Sequence, residues 1–226
     1  MLIWIIFIGL TIVSYIISAT LKAKFDRYSK LPMAQWLTGK DVAEMMLADH
    51  GINDVKVVSI GGYLTDHYNP VNKTINLSRP VYSEPSIAAA AVAAHETGHA
   101  IQHARAYSWL MLRSALVPVV SITSRWLSWI LLLGIITVQT FPYLLFIGII
   151  LFSLNTLFSF ITLPVEIDAS RRALKWLQIR NMVPDNHYIY ARDALKWAAY
   201  TYVIAALTSL ATLLYYILIF ISARDE

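Results

Sequence analysis

The sequence has no cysteine and few charged residues. Without cysteine the 226-residue chain has no disulfide framework and no thiolate metal ligand, so histidine, aspartate and glutamate would have to bind any metal. Charged residues make up 14% of the chain and hydrophobic residues 58%. Soluble domains are usually about a quarter charged. The composition therefore predicts that part of the chain lies in a lipid bilayer.

Long stretches also lack charge altogether. The first, 1–21, has no basic n-region and no small-residue cleavage site at the usual place, so we interpret it as a retained transmembrane helix rather than a signal peptide. Residues 126–165 are twice the ~20 residues that one span needs, and Pro142 near the middle is typical of a turn. The run 198–222 is a further span. A soluble all-α protein is the alternative, and these lengths disfavour it.

The pattern predicts a mainly helical, multi-pass membrane protein with about four transmembrane helices and a small cytoplasmic α+β domain. The predicted segments are transmembrane helices at 1–21, 114–140, 143–163 and 198–222, a cytoplasmic α+β region at 22–113, and a cytoplasmic helical segment at 164–197.

Positive charge is confined to the two polar segments. All of the 18 Lys and Arg residues except Arg125 and Arg224 lie in them. Cytoplasmic loops are the ones enriched in Lys and Arg, so both segments are predicted to face the cytoplasm. Side chains from the two segments can then meet. We interpret the basic residues at 171, 172, 175 and 180 as topology signals or lipid contacts, and we expect no nucleic-acid partner.

Local patterns organise the first polar segment. Residues 42–47 are predicted to form a short helix, and alternation at 54–60 and 73–78 predicts strands. An alanine-rich helix follows, with Ser83 as its expected N-cap.

That helix contains His95-Glu96-Thr97-Gly98-His99, an H-E-x-x-H pattern. Residues four apart share a helix face, so His95 and His99 can offer imidazole nitrogens to one zinc ion. Glu96 is placed beside them to accept a proton from the attacking water. Incidental spacing of two histidines is the alternative, but the small residues around the motif are typical of a closely packed active-site helix. The motif predicts one Zn²⁺ per chain and a zincin-like catalytic domain.

The third ligand is less obvious. His103 continues the spacing, but on an unbroken helix it lies about 12 Å along the axis from His95, too far for bonds of ~2 Å to one ion. His103 is therefore expected to be a second-sphere, structural or substrate-side residue. A metzincin would place a histidine at position 105, which is Arg105.

Glu166 in LPVEIDASRR is the better candidate. We expect a helix to begin at Pro164, with Glu166 in its first turn as the third ligand and Asp168 orienting a ligand histidine. Two alternatives remain open. Asp168 could be the ligand instead, or both acids could simply be favoured by the helix dipole.

The motifs HETGHAIQHA, LTDHYNP…TINLS and LPVEIDASRRAL together resemble the bacterial membrane-bound neutral zinc metallopeptidase family over nearly the whole chain. That family is similar to the gluzincin proteases, including the membrane-embedded heat-shock and CAAX-processing enzymes. The resemblance implies that His95, His99 and Glu166 are zinc ligands and Glu96 the general base. Asn69 stands where the family pattern leads us to expect an aspartate, which argues against a metal role there.

The resemblance also implies a substrate strand. In gluzincin-like proteases an edge strand beside the catalytic helix pairs with an extended peptide. We expect this edge strand to consist of Lys73, Thr74, Ile75, Asn76 and Leu77. An ordinary member of a small sheet is the alternative.

The mechanism also needs a group that stabilises the oxyanion. Histidine, tyrosine or arginine side chains supply it in such sites, and the sequence does not choose among them. The candidates are His187, in a loop before the last helix, Tyr202, Tyr188, Tyr190 and Arg171.

These features favour a membrane-embedded zinc endopeptidase in the cell membrane, with its site at the cytoplasmic face and membrane proteins or peptides as substrates. A non-proteolytic zinc-binding scaffold or chaperone is the alternative, although Glu96 would then have no role. A metal transporter is a further alternative, and the lack of acids and histidines in the spans argues against it. The oligomeric state is not predicted.

Overall fold

The computed structural model describes residues 2–33 and 35–223 and divides the chain into two compact units. We call the first the helical unit. It comprises Met1–Ile16, Met111–Leu163 and Thr201–Glu226. The second, the sheet unit, comprises Ile17–Leu110 and Pro164–Tyr200.

Helices dominate the described part of the chain. In order, the elements are α1 (Leu2–Tyr28), α2 (Gly39–Asp49), β1 (Lys56–Ile60), β2 (His67–Asn69), β3 (Thr74–Ser78), α3 (Arg79–Ser83), α4 (Ile87–Ala104), α5 (Ser108–Ile136), α6 (Pro142–Ile179) and α7 (Asp185–Ser222).

Four of these helices, α1, α5, α6 and α7, are long and apolar enough to cross a membrane, as predicted. Their most apolar windows have mean hydropathies between 1.8 and 2.3. A helix satisfies its own backbone hydrogen bonds, which is why apolar segments of this length are helical in lipid. Large apolar side chains such as Ile122 and Ile136 remain exposed on the helical unit, as expected for a lipid-facing surface.

Two helix boundaries predicted in the second polar segment are wrong. No helix begins at Pro164, because α6 continues through it from Pro142 to Ile179. Proline removes one backbone donor, but a helix that is held on both sides can continue through it. His187 does not lie in a loop either, since α7 already begins at Asp185.

The sheet has three strands in the order β1–β3–β2. β1 runs parallel to β3 and β2 runs antiparallel to it, with His67 opposite Asn76. The prediction that residues 73–77 form an edge strand is therefore wrong, because β3 lies in the centre of the sheet. β2 takes the edge on one side.

Helices α2, α3 and α4 cover the sheet in the sheet unit. α2 packs against α4, and α4 contacts both β2 and β3. Ser86, not Ser83 as predicted, caps α4, since its Oγ accepts the backbone N–H of Ala89 at 3.1 Å. Ser83 ends the separate short helix α3. The core of large, fully buried side chains includes Val42, Met46, Ile75, Leu77, Val81, Ile87 and Ile101.

The helical unit has its own apolar contacts. Leu127, Leu131, Leu145 and Ile149 form a buried cluster between α5 and α6. Gly134 permits this contact, because a Cβ there would lie 2.7 Å from the Cα of Leu145. The two helices therefore pack backbone to backbone, as small residues allow in membranes.

Candidate metal centre

The H-E-x-x-H segment lies in the middle of α4, where the helix packs closely on α6. A Cβ at Gly98 would lie 2.7 Å from the carbonyl oxygen of Ala169. Glycine is thus the residue that lets the two backbones approach at this point. The close approach brings Glu166 of α6 to the histidine face of α4.

His95, His99 and Glu166 meet there. The Oε2 atom of Glu166 lies 3.2 Å from His95 Nε2 and 3.6 Å from His99 Nε2. Bonds of about 2.0–2.2 Å to a tetrahedral zinc ion would separate neighbouring ligand atoms by roughly 3.3 Å. The three donors therefore fit zinc, and they are the one such group of His, Asp or Glu ligands found among the described residues.

Burial concentrates negative charge where a cation would bind. Glu166 is 3% exposed and His99 7%. Burial is the largest single influence and would lower the pKa of the His99 imidazole, but Glu166, Glu96 and Gln102 together raise the pKa above its usual value. A divalent cation held by the same atoms would meet this demand for positive charge.

Gln102, a residue that the sequence analysis missed, fixes the orientation of His99. Its Nε2 donates to the carbonyl of Val165 at 2.8 Å and to Asp168 Oδ2 at 2.9 Å. Both amide hydrogens are thereby used, so Oε1 must face His99 Nδ1, 3.0 Å away, and accept its proton. The Nε2 atom of His99 is then the unprotonated donor that zinc requires.

Asp168 interacts with the histidines indirectly. It accepts hydrogen bonds from Gln102 and from Arg172 Nε, the latter at 2.6 Å. It does not belong to the three-donor group, so its contact with His99 runs through Gln102. His95 has a partner of its own, because its Nδ1 lies 3.1 Å from Ser170 Oγ.

Sequence spacing could have revealed Gln102 and Ser170, the two residues that orient the histidines. Gln102 lies three residues after His99, and Ser170 four residues after Glu166. Each therefore shares a helix face with a ligand. What the sequence could not show is that the two faces meet.

Glu96 lies beside the three donors without joining them. Its side chain is almost buried, and Oε2 accepts the backbone N–H of Tyr68 at 2.9 Å. This N–H on β2 is turned towards α4 and away from β3. A carboxylate held in this way is positioned to exchange protons next to the donors.

His103 also lies outside the donor group. Its Nδ1 is 2.8 Å from the hydroxyl of Tyr68. Burial raises the pKa of Tyr68 to about 12, with the nearby Asp54 adding to the effect. The phenol therefore stays protonated at neutral pH.

The remaining predicted site residues are dispersed. His187 packs on Tyr190, with ring centroids 5.7 Å apart, and its buried Nδ1 has no partner among the described residues. Tyr202 belongs to the helical unit. Asn69 ends β2, and its Oδ1 accepts the backbone N–H of Val71 at 2.9 Å in the turn that follows.

The predicted substrate strand is occupied by contacts within the fold. Ile75 and Leu77 are completely buried in the core. Lys73 forms an ion pair with Asp54, and the Asn76 amide donates to Thr74 Oγ1 at 3.0 Å. Side-chain contacts from this strand to a substrate therefore receive no support from the geometry.

Comparison with known proteins shows a family to which nearly the whole chain is similar. A family model described as "Putative neutral zinc metallopeptidase" matches residues 3–221. The chain belongs to this family. The resemblance inferred from the three motifs is thus confirmed.

One relative matches nearly the full chain. "Putative membrane protease YugP" of Bacillus subtilis (strain 168) is 40% identical over 225 residues, which cover 98% of this chain and 99% of the relative. No solved structure matches the chain significantly.

Proposed function

We propose that this member of the family is a zinc-dependent endopeptidase of the gluzincin type. The observation that carries the proposal is the meeting of His95 Nε2, His99 Nε2 and Glu166 Oε2, with Glu96 next to them but outside the group. Closed structural zinc sites have four protein ligands, whereas catalytic sites have three and leave a position for water. The described residues offer three.

Each residue has a part in the proposed reaction. Zinc, when bound, would polarise the scissile carbonyl and increase the acidity of the attacking water. Glu96 accepts the proton of that water and passes it to the leaving amine, while the Tyr68 N–H holds its carboxylate. Gln102 and Ser170 keep the two imidazoles turned with Nε2 towards Glu166.

Peptide binding by strand addition would use β2. This strand forms the edge of the sheet that contacts α4, and β3 is enclosed between two strands. The Tyr68 N–H of β2 already donates to Glu96, so an extended peptide would pair only with the rest of this edge, next to Glu96 and the donor group. Main-chain pairing of this kind selects extended segments more than particular side chains.

The central experiment compares wild type with Glu96→Gln, both purified in detergent. We expect zinc in both proteins and cleavage of casein or a labelled peptide by wild type alone. Loss of the base should lower the rate by at least about a hundredfold. Zinc in both without cleavage in either would favour the scaffold or chaperone alternative, and absence of zinc from both would contradict the proposal.

We further propose that the site faces the cytoplasm and acts on membrane proteins or peptides near the bilayer. The Lys and Arg distribution supports this orientation. The cysteine-free chain allows a direct test with single cysteines at the exposed positions Val71 and Tyr143. In intact cells a membrane-impermeant maleimide should label Tyr143→Cys but not Val71→Cys; the reverse result would contradict the orientation.

Substrate choice has a separate test. The same peptide is presented free in solution and fused to a transmembrane anchor. We expect faster cleavage of the anchored form in proteoliposomes, and equal or slower cleavage would contradict the membrane-substrate proposal.

A further inference from the structure

A cavity of about 520 Å³ lies between the parts of α6 and α7 that belong to the sheet unit. Arg171 and Lys175 line it from α6, and Arg192 and Lys196 line it from α7. The residues of each pair are four apart, so both pairs point from one face of their helix into the same space. None of the described lining residues is acidic.

The four cations have no ion-pair partner among the described residues. The acids that are close in sequence are engaged elsewhere. Asp168 accepts from Arg172 Nε at 2.6 Å, and Asp193 accepts from the hydroxyl of Tyr28 at 2.6 Å. Lys196 lies over the Tyr200 ring and is near enough to Asp193 to lower the pKa of that carboxyl, but Asp193 is already paired with Lys24. The four cations therefore leave the cavity with a net positive charge, which attracts an anion.

The rest of the lining is amphipathic. Ser170, Gln178 and Tyr188 add polar groups, and an apolar wall completes the cavity. A free phosphate ion would gain nothing from contact with apolar side chains, whereas the acyl chains attached to a lipid headgroup would pack against them. The apolar wall consists of Ile167, Leu174, Leu195 and Ala199.

Beside the cavity, both helices change between a sequence with charged residues and one without. α7 carries no charge from Trp197 to Ser222, and α6 carries none from Pro142 to Val165. Basic residues at the end of a charge-free helical run are found at the level of the lipid headgroups. Lys196 directly adjoins the charge-free run of α7, and Arg171 follows that of α6 by six residues, which would bring these two cations towards the level where an anionic phospholipid presents its phosphate.

We propose that this cavity binds the phosphate group of an anionic glycerophospholipid, with Arg171, Lys175, Arg192 and Lys196 as its cationic partners and the apolar wall against the first part of the acyl chains. This site is independent of the proposed peptidase activity. It is also adjacent to the metal centre, because Ser170 both lines the cavity and contacts His95.

Calorimetric titration of the full chain in a non-ionic detergent tests the proposal. The probe is water-soluble dihexanoyl phosphatidylglycerol, with dihexanoyl phosphatidylcholine as its zwitterionic counterpart. We expect saturable binding of the anionic lipid that weakens as salt is added. Arg192→Gln/Lys196→Gln should bind about thirtyfold more weakly.

A matched variant removes the same charge elsewhere in the sheet unit. Lys56 and Arg79 are exposed and lie outside the cavity, so Lys56→Gln/Arg79→Gln should bind like wild type. Thermal midpoints and zinc content establish that each variant is folded. Should the α7 variant fail to fold, Arg171→Gln/Lys175→Gln tests the cavity from α6.

Each alternative result would overturn the proposal in its own way. An unchanged affinity for the anionic lipid in a folded cavity variant would mean that the lipid binds outside the cavity. Equal binding of the anionic and the zwitterionic lipid would show that the cavity does not recognise the negative charge of the headgroup. Inorganic phosphate binding as tightly as the lipid would make the ligand a free anion, and displacement by an acidic peptide at lower concentration would assign the cavity to substrate.

Discussion

The helical unit and the sheet unit are stabilised by different chemistry. In the helical unit the buried cluster is apolar, and its polar contacts are isolated pairs such as the hydroxyls of Thr156 and Ser209, 2.8 Å apart. In the sheet unit Glu166, His99 and Gln102 are buried together in one connected network. Lipid-facing helices need only close packing, whereas buried charges are stable only when every member of the network has a partner. Changes in this buried network should therefore affect metal binding, and changes in the helical unit should not.

Removal of a donor should have the largest effect. Glu166→Ala leaves two histidines, and zinc affinity should fall by about a thousandfold or more, since loss of even an outer partner costs 10–100-fold. Titration against a zinc-chelating dye measures the change. Thr156→Val, which removes a buried hydroxyl pair from the helical unit, should keep the affinity of wild type. Full zinc binding by Glu166→Ala would contradict the proposed third ligand.

Removal of the residue that orients a donor should have an intermediate effect. Gln102→Ala leaves the Nδ1–H of His99 without its acceptor and frees the ring to turn, so zinc affinity should fall about 10–100-fold. The exposed Gln35→Ala is the matched control. An unchanged affinity in Gln102→Ala would mean that the network does not position His99.

A methyl group added at the two close helix contacts compares the units directly. Gly98→Ala and Gly134→Ala each place Cβ 2.7 Å from backbone of the facing helix, so each should lower the thermal midpoint by about 2–10 °C. Only Gly98→Ala should also weaken zinc binding, because it displaces α4 from the helix that carries Glu166. Equal zinc affinity in the two variants would contradict the division of roles between the units.

The smallest effect is expected at Ser170. Its hydroxyl is a weaker partner for His95 than the Gln102 amide is for His99, since the ring lies 3.1 Å away and is partly exposed. Ser170→Ala should lower zinc affinity by about tenfold, the lower end of the range for outer partners. A loss greater than that of Gln102→Ala would reverse the order of the two contacts.

The sequence predicted which donor side chains meet better than it predicted the architecture around them. Helical spacing was enough to bring His95 and His99 together, and Glu166 stood out as an acid directly after a charge-free run. The four spans followed from length and hydropathy. All of these signals are local, which is why a single sequence reveals them.

The errors involved tertiary context. Pro164 is normally a helix start, but α6 continues through it because the flanking residues hold the helix. The sequence of β3 is the same whether the strand lies in the centre or at an edge of the sheet. Its pairing with β2 decides that position. The basic cavity likewise requires residues 171–175 and 192–196 to face each other, and no local pattern contains this information.

X-ray absorption at the zinc edge is the most direct test of the central claim. The measurement uses zinc-loaded full chain, with Glu166→Gln as the comparison. We predict four light ligands at about 2.0–2.2 Å, of which two show the outer scattering of imidazole. A spectrum with three or more imidazoles, or one that Glu166→Gln leaves unchanged, would contradict a centre built from His95, His99 and Glu166.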